Sequence, residues 1–155
     1  MLGLEGDYHE DLKVFLYYIG KARDPHANAI AAEFVKRTSH YTACEMREIV
    51  PRQTVPGKHD LFERHPAARR ILLDPAGKAY DSERFARLVD EAEQRGQDLV
   101  FLVGGHDGLP QEWKARADLL LSLSPMTYPH ELARAVLAEQ IYRAFTTLRG
   151  HPYPR

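Results

Sequence analysis

The order of apolar segments predicts an α/β fold built on a mostly parallel sheet with helices on both faces. Three observations predict it. Short β-branched and aromatic runs alternate with amphipathic stretches, the alternation has the spacing of strand–helix–strand units, and glycine or proline punctuates most junctions. In such a sheet ligands are expected beyond the carboxyl ends of the strands.

Lys13 to Ile19 (KVFLYYI) is a β-branched and aromatic run closed by Gly20, and reads as a largely buried strand. Asp24 and Pro25 make an N-cap and first-turn pair. Ala27, Ile30, Ala31, Phe34 and Val35 then recur at helical spacing toward Lys36 and Arg37. Cys44 to Val50 reads as a second, weaker strand. From Pro51 to Pro66 prolines, Gly57 and charged residues break any period, so a mobile surface loop is expected there, with one short helix around His59 to Arg64. Arg70 to Asp74 (RILLD) is the third strand, and Pro75, Ala76 and Gly77 the turn after it. Asp81 or Ser82 caps the next helix, Phe85, Leu88, Val89 and Ala92 form its apolar face, and Gly96 stops it. Leu99 to Val103 is a continuous apolar strand running straight into Gly104-Gly105-His106-Asp107-Gly108. Leu119 to Leu123 is the next strand. Leu132, Val136, Leu137, Ile141, Ala144, Phe145 and Leu148 then mark a long amphipathic helix, Glu131 to Leu148, ended by Gly150 and followed by the tail HPYPR.

At 155 residues, one domain is expected. An apolar fraction of 44% and a charged fraction of 28% fit an ordinary globular protein. Nothing approaches the run of about 20 apolar residues that a membrane-spanning helix needs. Glu5, Asp7, Glu10 and Asp11 stand where a secretory signal would have a basic start, so a cytoplasmic location is expected. Cys44, the only cysteine in the sequence, excludes an internal disulfide and reads as a small buried residue. A net charge of -1 gives no global footprint of nucleic-acid binding. Arg52, Lys58, Arg64, Arg69 and Arg70 nevertheless cluster in the middle, and Arg143, Arg149 and Arg155 toward the end. Such patches can grip phosphates even when the total cancels.

The glycine turn after Val103 is the most informative local feature. Three glycines within five residues let backbone approach a ligand closely, although a lone cluster of this kind reads first as a tight structural turn. The dinucleotide fingerprint is absent, because Val103 occupies its first glycine and no clear helix start follows Gly108.

Joined to the end of the chain, the pattern becomes specific. LVGGHDGLP followed by LSLSPMTYPHELARAVLAEQIYRAFTTLRGHPYPR resembles the RlmH family of SPOUT methyltransferases. The matching residues are Gly104, Gly105 and Gly108; Leu123, Ser124, Thr127, Pro129 and His130; Arg134, Glu139, Gln140, Tyr142, Arg143 and Ala144; and His151, Pro152 and Tyr153. The N-terminal half agrees more loosely, through Gly20-Lys21, Glu33 to Arg37, Glu48-Ile49 and Leu73-Asp74.

The resemblance implies a single SPOUT domain over residues 13–155 after an N-terminal extension of residues 1–12, with a C-terminal trefoil knot. It implies S-adenosylmethionine as cofactor, held by Leu73, Gly104, Leu123, Ser124, Pro125, Met126, Thr127 and Tyr128. It also implies a homodimer that methylates N3 of a pseudouridine in large-subunit ribosomal RNA or the ribosome, with no membrane or DNA partner. His151, Tyr153 and Arg155, reaching the partner's site, are then the candidates for accepting a proton, orienting the base or neutralising charge.

This chain departs from the family pattern at Pro154, where a histidine is usual, at His106, where a proline or small residue is usual, and in the segment from Pro51 to Arg70, which is shorter than the family's helical region there. The alternative is therefore a catalytically diverged knotted dimer that binds RNA or cofactor. His106 and Asp107 fall short of a metal site, which needs three or four convergent ligands. His130 reads as a structural hydrogen-bonding residue, the histidines at 9, 26, 40, 59 and 65 as surface residues, and Trp113, Tyr17 and Tyr18 as packing groups.

Overall fold

The computed structural model describes residues 12–55 and 60–153. Most of the expected N-terminal extension, together with Lys58, His59, Pro154 and Arg155, lies outside the described residues. Five strands form one sheet: Lys13–Tyr18 (β1), Ala43–Glu48 (β2), Arg69–Ala79 (β3), Leu99–Val103 (β4) and Leu119–Ser122 (β5). Their order is β2-β1-β4-β3-β5, and every pairing is parallel. The helices are Pro25–Thr38 (α1), Leu61–Arg64 (α2), Ser82–Arg95 (α3), Gln111–Arg116 (α4) and His130–Arg149 (α5).

Local chemistry sets the ends of these helices. The Asp24 carboxylate accepts from the amides of His26 and Ala27, and that of Asp81, rather than the Ser82 hydroxyl, accepts from Arg84 N. Gly96 and Gly150 close α3 and α5 at φ of 61° and 69°, the left-handed conformation that a side chain disfavours.

A parallel sheet is buried on both faces, which is why β4 is apolar at every position. On one face Val14, Leu16, Ile71, Leu99 and Phe101 pack beneath α1, α3 and α5. On the other, Tyr17, Leu72, Val100 and Leu102 meet Leu61 and Phe62 of α2 and Trp113 of α4. Helices thus cover both faces, thickly on one and thinly on the other. No described helix is long and apolar enough to cross a membrane.

The structure corrects several expectations. The Pro51 to Pro66 segment is not wholly a surface loop, because Asp60, Leu61 and Phe62 are buried. Asp60 caps α2 by accepting from Phe62 N and pairs with Arg116 at 3.0 Å, so two apolar residues and one carboxylate anchor it. β3 does not end at Asp74. It continues to Ala79 through an irregularity in which both Leu73 and Lys78 pair with Leu121. Helix α4 was not expected, since Pro110 offers no capping side chain and the helix has only six residues. His65 is half-buried, sharing a 2.9 Å hydrogen bond with the Tyr17 hydroxyl, and burial lowers its pKa. Half of the basic cluster residues are neutralised: Arg69 meets Glu91, Arg70 meets Asp118, Arg143 meets Glu139 and Arg149 meets Glu93, whereas Arg52 and Arg64 are exposed and form no ion pair among the described residues.

Candidate active site

Four segments converge at the carboxyl edge of the sheet: the irregular stretch of β3 at Leu73 to Pro75, the glycine turn after β4, the loop after β5 and the first turn of α5. They enclose a cleft of about 310 Å³, within the range of about 300–1,000 Å³ usual for small-molecule sites. Leu73, Gly104, Leu123, Ser124, Pro125, Met126, Thr127 and Tyr128, the eight residues expected to hold cofactor, all line it. Asp74, Val103, Gly105, His106, His130 and Ala133 also line it and were not anticipated there.

The glycine turn is shaped by its own backbone. A Cβ on Gly104 would lie 2.7 Å from the carbonyl carbon of Gly108, so any side chain there forces the turn open. Across the cleft, the Ser122 hydroxyl donates to Ser124 O, and the Ser124 hydroxyl accepts from Met126 N. These two bonds fix the bend of the loop. The amides of Thr127 and Tyr128 have no protein partner among the described residues. Met126 is 77% exposed at the mouth. Asp74 pairs with Lys114 of α4 at 3.3 Å, which ties the cleft to the thinly covered face.

His130 lines the cleft, and its imidazole has no hydrogen-bond partner among the described residues; the structural role expected of it falls to Glu131. Glu131 Oε1 accepts from Arg23 N, Asp24 N and Asn28 Nδ2 at 2.7, 3.0 and 2.9 Å, and these bonds hold its carboxyl down to about 2. One turn on, Arg134 is fully buried. It donates to Ile19 O at 2.9 Å and Gly20 O at 3.3 Å, and lies 4.1 Å over the Tyr18 ring. Glu131 and Arg134 together clasp the loop between β1 and α1 against the start of α5.

His151 and Tyr153 do not line the cleft. His151 Nδ1 shares a 2.6 Å hydrogen bond with the Tyr41 hydroxyl. The Tyr153 hydroxyl donates to Glu139 Oε2 at 2.9 Å, and Arg143 donates to the same oxygen. Burial, then the Glu139 contact, raises the Tyr153 pKa. Arg155 lies outside the described residues. Glu139, Tyr142 and Arg143 were legible as motif positions, but their role in seating the tail was not. Among the described residues no group of three His, Cys, Asp or Glu side chains is placed to hold a metal.

Fold and cleft together are those of a SPOUT methyltransferase: the family model described as "Predicted SPOUT methyltransferase" matches residues 12–154. The chain is 62% identical to ribosomal RNA large subunit methyltransferase H of Solibacter usitatus, over 93% of this chain and 100% of that one. It is 41% identical to the protein of the same name from Sorangium cellulosum, over 92% and 99%. A probable methylase family protein from Haemophilus influenzae Rd KW20 shares the fold, with a TM-score of 0.59 at 11% identity over 95% of this chain and 73% of that one. The chain belongs to the ribosomal RNA large subunit methyltransferase H family.

Proposed function

We propose that this chain transfers a methyl group from S-adenosylmethionine to N3 of a pseudouridine in large-subunit ribosomal RNA, as one half of a homodimer. The observation that carries the reading is the gathering of all eight expected cofactor residues around one cleft. The cleft suits that cofactor. Leu73, Val103, Leu121 and Leu123 offer apolar walls for a purine ring, and the open amides of Thr127 and Tyr128 suit its hydrogen-bonding edge.

When bound, S-adenosylmethionine supplies an electrophilic methyl group on a sulfonium. The chain's own residues supply binding, orientation and management of one proton. N3 of a pseudouridine is normally protonated, so a base must accept that proton before the nitrogen becomes nucleophilic. His151 is the proposed acceptor, with Tyr153 and Arg155 orienting the base or neutralising charge. With the ring's Nδ1–H donating to the Tyr41 oxygen, Nε2 carries the lone pair that accepts the proton.

Geometry favours completion of the site by a second subunit. The tail follows the far end of α5, whose 20 residues span about 30 Å at the usual rise of an α-helix, while the cleft lies at its start. A tail seated that far from its own cleft suits service in the cleft of a partner. The C-terminal trefoil knot belongs to the same reading and is supported by Gly77. A Cβ there would sit 2.5 Å from Leu120 O, as expected where β5 passes tightly against the Asp74–Gly77 segment. In this reading residues 13–155 form the methyltransferase domain and residues 1–12 an extension.

The test is transfer of labelled methyl from S-adenosylmethionine to ribosomes lacking this modification, with cofactor binding measured by calorimetry on the same preparation. Label mapped to a large-subunit pseudouridine is the expected result. Cofactor binding without transfer would favour the diverged binding dimer, and absence of cofactor binding would overturn the reading.

A further inference from the structure

We infer that the loop joining β1 to α1 is a preformed phosphate-gripping arm, in which Lys21 and Arg23 hold the RNA backbone beside the cleft. The inference rests on the RNA substrate proposed above and adds the surface that engages it.

The loop is held from outside itself. Glu131 accepts from the amides of Arg23 and Asp24, and Arg134 donates to the carbonyls of Ile19 and Gly20. Two α5 side chains thus fix a stretch with no helix or strand of its own. A loop restrained in this way loses little further freedom when a ligand binds, so its contacts return more of their energy as affinity.

The loop also stands in the right place. A Cβ on Gly105 would lie 2.9 Å from Ile19 O, so the loop abuts the glycine turn that lines the cleft. Glu131 and Arg134 are chain neighbours of His130 and Ala133, which line the cleft as well.

The charge is available. Lys21 and Arg23 are exposed and form no ion pair among the described residues, whereas Arg69, Arg70, Arg143 and Arg149 are each matched with a carboxylate. Of the acidic groups near the loop, Asp24 and Glu131 are engaged by backbone amides, and Glu48 stands at its start beside Tyr18, on the side of Arg134. A chain of net charge -1 has no global field to draw RNA in, so phosphate contacts must come from local, unmatched cations on a firm backbone. This loop provides them.

The experiment compares the full-length protein with the double variant Lys21→Ala/Arg23→Ala, using ribosomes that lack the methyl group as the probe. Methyl transfer and filter retention of the ribosome are measured between about 50 and 200 mM salt. The expected result is a KM for ribosomes raised roughly tenfold or more, with kcat at saturation and the dissociation constant of S-adenosylmethionine unchanged. The slope of log affinity against log salt should fall by about 1.4, two contacts at roughly 0.7 each on single-stranded RNA. Lys21→Arg/Arg23→Lys should restore binding, and Arg95→Ala, an exposed cation in the last turn of α3, should change nothing. An unchanged KM and salt slope would overturn the proposal. So would weaker binding with an unchanged slope, or loss of cofactor affinity, since either marks a merely structural loop. Failure of the wild-type protein to methylate ribosomes would count against the substrate, and filter retention, which needs no turnover, would still decide the role of the arm.

Discussion

The Tyr41 hydroxyl lies 2.6 Å from Nδ1 of His151, joining the turn after α1 to the first residue of the C-terminal tail. Tyr153 is seated separately, by its bond to Glu139 and an edge-on contact with Tyr142 at 5.0 Å. The tail therefore leaves α5 in a defined direction. Truncation after Gly150 is expected to spare folding and cofactor affinity, with a modest fall in thermal stability from the lost tail contacts, while abolishing methyl transfer. Tyr41→Phe should retain the fold and lower kcat, with an altered pH–rate profile because His151 loses the partner of its Nδ1. Full activity in the truncated protein would refute a catalytic tail.

Glu131 makes stability depend on pH in a calculable direction. Its folded carboxyl is held at about 2, below the ordinary value of 4.5, by the backbone amides of Asp24 and Arg23 and the Asn28 side chain. A depressed carboxylate contributes stability that is fully present above 4.5 and fades as pH falls from there toward 2. Urea midpoints measured across that window should converge for wild type and Glu131→Gln at the acid end, and separate near neutrality with the variant the less stable.

Two glycines predict opposite severities. Gly77→Ala places a methyl group 2.5 Å from a backbone oxygen that cannot rotate away, and is expected to cost about 3 kcal/mol or prevent folding. Gly96→Ala meets nothing within 4 Å and pays only for its left-handed φ of 61°, about 1–2 kcal/mol. Chemical denaturation followed by circular dichroism measures both.

Trp113 is fully buried, and its indole Nε1 has no hydrogen-bond partner among the described residues. Trp113→Ala should cost about 3–5 kcal/mol by emptying the thin face of the sheet. Trp113→Phe removes the stranded N–H along with part of the ring, so its cost should stay under about 1.5 kcal/mol. Equal losses in the two variants would mean that the indole nitrogen is solvated.

What the sequence disclosed followed the range of each signal. Asp24, Asp81, Gly96 and Gly150 act within a turn of themselves, and the helices they bound lie where the sequence places them. Helix α4 starts without a cap, and β3 runs on through an irregularity set by β5, so neither left a local trace. Residue type placed Arg69, Arg70, Arg143 and Arg149 among free cations. Glu139 stands four residues before Arg143 and is readable from helical spacing, but only three-dimensional proximity reveals the carboxylates of Arg69, Arg70 and Arg149, and it leaves Lys21 and Arg23 as the exposed pair beside the cleft. The cofactor loop was found through its resemblance to a family, since Leu123 to Tyr128 has neither period nor charge to mark it. Tyr41 and His151 are separated by 110 positions, and no spacing rule joins them.

The strand order has a consequence for how the chain is made. β1 and β3 are separated in the sheet by β4, which is synthesised after both. While a nascent chain ends before Leu99, β1 has only β2 beside it, and β3 has no neighbour at all. The first 98 residues thus cannot close the sheet during translation, and the apolar strands of the growing polypeptide wait, open to chaperones, until the last third emerges.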